Sequence, residues 1–253
     1  HDEQGYGDTL QMARYLPLLK AMGGTVILCI KQALIPLFRD HPSVDEIVEW
    51  RSDGRIEIPF DSYIPMMSLP HRFRTTLDTV PADVPYITPD SEQVAHWADR
   101  LQSELFKIGI VWAGNPVQKA DRKRSMTLDK MAPLFEIEGV QLYSLQKGYA
   151  EQQIRETVGA DRVIDLAPEL TDYLQTAAAI ANLDLVITVC TSVAHLAGAM
   201  GRPTWILLAK QADWRWLQNR DDSPWYPSVR LFRQPVSGDW LALLQQVSEA
   251  VKK

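Results

Sequence analysis

The feature that most limits what this chain can fold into is an alternation in its second half. Six short apolar runs, FKIGIVWAG (106–114), VQLYSLQ (140–146), VIDL (163–166), DLVITV (184–189), TWILLA (204–209) and VRLF (229–232), are separated mostly by stretches with helical spacing, among them LDKMAPLFE, AEQQIRETVG and TDYLQTAAAIAN. Runs that are apolar on both faces belong to buried strands, and a helix between two such strands returns the chain parallel to itself. The expectation is an α/β protein with a parallel sheet covered by helices on both sides.

The first half carries a shorter version of the same order. DTLQMARYLPLLKAM (8–22) reads as a helix capped by Asp8 or Thr9, kinked at Pro17 and ended by Gly23-Gly24. TVILCI (25–30) and VDEIVEW (44–50) read as strands on either side of the helical QALIPLFRD. Prolines and aspartates over 51–90 suit connecting structure, and SEQVAHWADRLQSEL (91–105) suits an amphipathic helix leading out of it. Two units follow, 1–98 and 99–253, with the helix WLALLQQVSEAVKK (240–253) closing the second. The first residues look like the end of a strand entering a turn, so a strand upstream of His1 is expected.

Composition narrows the class of partner. Hydrophobic residues are 46% and charged residues 23% of the 253, as in soluble globular proteins. A net charge of −6 argues against a broad grip on nucleic acid and leaves room for a local basic pocket. The two cysteines, Cys29 and Cys190, lie in separate apolar runs without zinc-ligand spacing, which fits a reducing compartment and no metal. No run is long enough to span a bilayer and no signal peptide is visible, so a cytoplasmic protein with a small-molecule partner is expected.

Ligands of parallel α/β sheets gather at the carboxyl ends of the strands. Four turns there carry chemistry. In DEQGYGDT (2–9) glycines allow close backbone approach and Asp8 stands where a helix begins, either as a functional carboxylate or as a cap. WAGNPVQKADRKRS (112–125) places Asn115 beside a cluster containing Lys119, Arg122, Lys123 and Arg124, which is either a phosphate grip or a solvated charged loop. SLQKG (144–148) offers Gln146 and a single ammonium, Lys147. In VITVCTSVAHLAGAMG (186–201), Thr191 and Ser192 can cap a helix whose N-terminal N–H groups suit an anion, and Gly201 ends it. His195 either hydrogen-bonds a ligand or packs. Cys190 stands as a nucleophile candidate only if His195 reaches its sulfur, and otherwise as a small apolar filler.

Taken together, EQGYGDTLQMARYLP, IGIVWAGNP with RKRS, SLQKG, VITVCTSVAHLAGAMGRPTWILL and DWRWLQNRDDSPWYPSVRLFRQ resemble, in order and over nearly the whole chain, the glycosyltransferase family 9 group. The likeness is to the heptosyltransferase-like regions that follow tetratricopeptide repeats in bacterial proteins. The resemblance implies a GT-B-like fold, two Rossmann-like domains facing a cleft, with the closing helix crossing back to the first. It implies an inverting, metal-independent and cofactor-free transfer of a sugar such as heptose from a nucleotide-diphosphate donor to a saccharide, lipid or protein acceptor. Upstream tetratricopeptide repeats and peripheral membrane contact are compatible with it.

In that scheme Asp8 is the general base. Thr191, Ser192, Lys147, Arg124 and His195 hold the donor diphosphate, Asn115 and Gln146 contact sugar or base, and Asp213 and Arg215 form a structural pair. Cys190 stands where the family usually has a donor-binding aspartate. That substitution keeps open a second reading, a catalytically degenerate domain that binds nucleotide or glycan.

Overall fold

A computed structural model of the protein describes residues 1–51 and 58–253. All eight expected strands form: β1 (Ile27–Ile30), β2 (Glu46–Glu49), β3 (Phe106–Val111), β4 (Val140–Ser144), β5 (Val163–Asp165), β6 (Leu185–Val189), β7 (Thr204–Leu208) and β8 (Val229–Arg233). The first two make a two-stranded parallel sheet, and the other six a second, wholly parallel sheet ordered β5-β4-β3-β6-β7-β8. In that order the chain reverses its direction of travel between β3 and β6. The crevice at the carboxyl ends of such a pair is where a doubly wound sheet receives ligands.

The large sheet is buried on both faces, as the apolar runs require. One face carries Ile108, Ile110, Leu185, Ile187 and Leu207 under the closing helix Trp240–Val251, which contributes Trp240, Leu243, Leu244 and Val247 to the same core. The resemblance had that helix crossing back to the first half. Its apolar face instead packs within the second half, on the large sheet and on the helical turns over 128–135, where Ser248 Oγ donates to Pro133 O at 3.1 Å. The other sheet face is covered by an alanine-rich helix, Tyr173–Ala181, and by a second helix, Ser192–Ala199, termed here the site helix.

Among the described residues the core of the first half is continuous with that of the second. Leu10, Tyr15, Leu16, Leu28, Ile30 and Phe38 join Ala177, Ile180, Leu196 and Ala197 in one apolar cluster. The linking helix Ser91–Arg100, capped by Asp90, also lies against the alanine-rich helix. There Trp97 Nε1 donates to Gln175 Oε1 at 2.9 Å and Asn182 Nδ2 donates to Val94 O at 2.9 Å.

The amino-terminal helix differs from expectation in its limits. It runs Tyr6–Met12 with Gly5 as its N-cap residue, passes through a 3₁₀ turn at Ala13–Tyr15 and resumes at Leu16–Lys20, with Pro17 in the first turn of the resumed piece. Pro is tolerated there because its missing N–H has no intrahelical acceptor. The connecting stretch expected over 51–90 has only short helical turns where described, and its residues 52–57 lie outside the described residues. Gly201 ends the site helix with φ +68°, the left-handed geometry that a Cβ disfavours.

Candidate functional site

The site forms where the amino-terminal helix crosses the N-terminus of the site helix. The approach is close at one residue. A Cβ on Gly7 would lie 2.7 Å from His195 Cδ2 and 3.4 Å from Ser192 Cα, so only glycine permits the crossing. Asp8 is thereby set beside the first turn of the site helix. Tyr6 packs on Tyr173, centroids 5.0 Å apart, and the Tyr173 hydroxyl donates to Ser192 Oγ at 2.7 Å.

Asp8 serves more than one structural purpose. Its Oδ2 accepts from Gly5 N–H at 2.8 Å, so it sits at the third position of the helix and caps from within rather than from the N-cap residue expected. Its Oδ1 is ion-paired with Arg215, whose Nε donates to Gln11 Oε1 at 2.6 Å and whose Nη1 donates to Asp213 Oδ1 at 2.9 Å. The Asp213–Arg215 pair inferred from DWRW is present, and Arg215 extends it to the other half of the chain. Each Asp8 oxygen has a second lone pair, so the carboxylate remains able to accept a proton.

At the end of β6 the hydroxyls act differently from simple caps. Thr191 occupies the N-cap position, but its Oγ1 bonds Thr188 Oγ1 at 3.2 Å and gives the helix no side-chain cap. Ser192 is engaged by Tyr173. Ala194 N–H donates to Thr191 O at 3.2 Å, while the N–H groups of Ser192 and Val193 receive no hydroxyl cap and keep their affinity for an anion.

Cys190 is buried, and burial pushes its thiol up from the usual range even though the Trp216 indole N–H donates to Sγ at 3.0 Å. His195 Nδ1 bonds the Tyr226 hydroxyl at 2.8 Å, and its ring stacks on Trp216 at 5.3 Å. Burial, with Arg215, Arg14 and Arg124 nearby, holds the imidazole well below its usual value. No His195–Cys190 hydrogen bond occurs among the described residues, so the thiol lacks the base that a nucleophilic dyad needs.

The other candidates line the same sheet edge with unequal freedom. Arg124, after β3, donates to the Cys190 carbonyl at 2.7 Å and to Asp121 Oδ1 at 3.1 Å, tying the two turns of the crevice together. Asn115 is exposed, its Oδ1 accepting from Val117 N–H at 3.0 Å. Lys147 is exposed at the end of β4 and rests on Ala167 O at 2.7 Å. Gln146 is the exception. It is 1% exposed, its Oε1 accepts from Trp112 N–H and Ala113 N–H, and its Nε2 donates to Ala113 O and Lys147 O. Those four bonds leave it no group for a donor, and its role is to pin the ends of β3 and β4.

The sequence reading did not single out Arg14, Tyr86, Trp216 or Tyr226. Arg14 is 3% exposed and donates to Pro81 O, Trp225 O and Tyr86 Oη, with Tyr86, Trp225 and Tyr226 rings around its guanidinium. The available signal was the density of aromatics over 214–226, which names a cluster without naming its partner. Among the described residues no three His, Cys, Asp or Glu side chains converge as a metal site requires.

Three solved structures share this fold over most of the chain. ADP-heptose lipopolysaccharide heptosyltransferase II of Escherichia coli superposes with a TM-score of 0.64 at 13% identity, covering 100% of this chain and 98% of that one. The chain has the heptosyltransferase fold. A glycosyltransferase of family 9 from Veillonella parvula gives 0.64 at 12% identity, covering 100% of this chain and 88% of that one. The E. coli heptosyltransferase WaaC with ADP gives 0.59 at 12%, covering 97% of each. No family model matches the sequence. The curated protein FlbA of Caulobacter vibrioides is 30% identical over 99% of this chain, and the chain spans 45% of that protein's length. Among the described residues no helix of this heptosyltransferase-like fold is long and apolar enough to cross a membrane.

Proposed function

We propose that this chain is the catalytic region of an inverting, metal-independent glycosyltransferase that moves a sugar from a nucleotide-diphosphate donor to a saccharide, lipid or protein acceptor. The observation that carries the reading is the crossing at Gly7. It places Asp8 beside the unblocked N-terminus of the site helix, at the switch point of the large sheet. The donor diphosphate is received by the N–H groups at Ser192 and Val193. Arg124 stands at the same crevice, and Lys147 swings from its carbonyl to add charge. Asp8, oriented by Arg215 and Gly5, takes the proton of the acceptor hydroxyl as that oxygen attacks the anomeric carbon. Charge on the departing diphosphate is stabilised by the helix end and by His195, which donates without being charged.

Titration calorimetry with ADP-, UDP- and GDP-glucose tests the first part, with binding expected for at least one. Donor hydrolysis and transfer by the wild type and Asp8→Asn test the second, with at least a hundredfold loss of turnover expected for the variant, on the order of what general-base removal costs. Absence of binding at millimolar donor would sink the transferase reading. The second reading, a nucleotide- or glycan-binding module without turnover, is favoured by one observation: a buried thiol at Cys190 offers sugar hydroxyls no strong acceptor. Binding without turnover, with turnover appearing in Cys190→Asp, would select it.

A further inference from the structure

We propose that Tyr226 is a positioning residue for His195: its hydroxyl donates to Nδ1 and so fixes the tautomer in which Nε2 carries the proton and faces the crossing at Gly7, beside the N-terminus of the site helix. The assignment rests on the transferase reading for its purpose, and on geometry for its content. A neutral imidazole has one accepting and one donating nitrogen, and the bond made by one decides the state of the other. Here the Nδ1 bond to Tyr226 Oη is 2.8 Å long, and both residues are buried. The Nε2 edge faces the amino-terminal helix, where a Cβ on Gly7 would lie 3.5 Å from it.

The direction of the Tyr226–His195 bond follows from what surrounds it. Arg14 lies 4.7 Å from the Tyr226 ring centroid, while burial, with Tyr86 beside it, pushes the phenol well above its usual range, so Tyr226 keeps its proton and has one to donate. The neighbouring Tyr86 hydroxyl receives from Arg14 at 3.0 Å and gives its own proton to Leu10 O at 3.0 Å, so it has none to offer Tyr226. On the histidine side, Arg14, Arg124 and Arg215 oppose a second proton on the ring, and burial does the same. A neutral ring with Nδ1 as acceptor satisfies all of these groups.

The placement of Tyr226 is equally constrained. Its ring rests against Gly198, one turn along the site helix from His195, where a Cβ would come within 2.6 Å of two ring carbons. Arg14 holds the preceding residue through Trp225 O at 2.8 Å. Trp216 stacks on the imidazole and fixes its plane. The result is a neutral N–H donor held at the crossing of the two helices, a state that a solvent-exposed histidine near pH 6.5 does not maintain.

Nitrogen-15 NMR of the histidine side chains in the full chain at pH 7 measures the tautomer directly. The expected result for His195 is a protonated Nε2 and an unprotonated Nδ1; an Nδ1–H tautomer or an exchange-averaged ring would overturn the proposal. Tyr226→Phe keeps the ring over Gly198 and removes the hydroxyl alone. In that variant the tautomer preference is expected to be lost and affinity for the best of ADP-, UDP- and GDP-glucose to fall roughly three- to tenfold, as for one lost hydrogen bond. An unchanged tautomer in Tyr226→Phe would also overturn it. If that variant does not fold, the wild-type spectrum still decides. If no nucleotide sugar binds the wild type, the transferase reading fails, while the tautomer still tests Tyr226.

Discussion

At the scale of single residues, the site is built from side chains that serve structure and chemistry together. Asp8 caps its own helix and pairs with Arg215, so removing Arg215 leaves Asp8 Oδ1 and Gln11 Oε1 without that partner while Asp8 Oδ2 keeps Gly5 N–H. Arg215→Ala is expected to destabilise the protein by about 2 kcal/mol, below the full cost of breaking a buried pair because both groups retain some solvent contact. Urea unfolding measures it, and a change under 0.5 kcal/mol would contradict the bridging role. Cys190 and Cys29 are both buried with thiols raised by desolvation. Iodoacetamide at pH 7.5 should therefore label neither until the chain unfolds, and rapid labelling of Cys190 in the native protein would revive it as a nucleophile. Of these residues the sequence made Asp8 and Cys190 visible because they stand in turns at strand ends. It could not show that Arg215 reaches Asp8, since 207 residues separate them and only the fold closes that distance.

Elements were easier to read than their ends. β1 to β8 were all legible, because buried parallel strands leave continuous apolar runs that no other element explains as well. Helix starts were less so: Gly5 rather than Asp8 begins the first helix, and Thr191 turns to Thr188 instead of capping the site helix. Capping is a competition among nearby acceptors, and sequence shows the candidates without their distances. The closing helix has an amphipathic pattern that says it must pack and not against what. The site helix depends on two close approaches. Gly198→Ala would place its Cβ within 2.6 Å of the Tyr226 ring, which Arg14 and His195 hold in place. A loss of about 1–3 kcal/mol is expected by denaturant unfolding, with disturbed His195 resonances, as for overpacking that cannot relax. Gly7→Ala should carry a similar cost for the same reason, and stability equal to wild type would show that the two helices separate more readily than their contact implies.

For the whole molecule, one buried and one half-buried histidine set a pH dependence. Burial lowers His195 well below its ordinary value near 6.5 and lowers His41 as well. Below about pH 6.5 the unfolded chain takes up protons that the native state does not, so stability falls as pH falls through that value and is not affected by these groups above it. Thermal midpoints should be flat near pH 7–8 and decline below 6.5, less steeply in His195→Asn; an identical decline would remove His195 from the account. The apolar cluster joining Leu10, Tyr15 and Phe38 to Ala177, Ile180 and Leu196 has a different consequence. Residues from the two halves share one interior, so the halves are not interchangeable parts. A chimera that borrows its first ninety or so residues from a relative must also borrow the inward faces of two helices far along the chain, and recombination within this lineage is constrained accordingly.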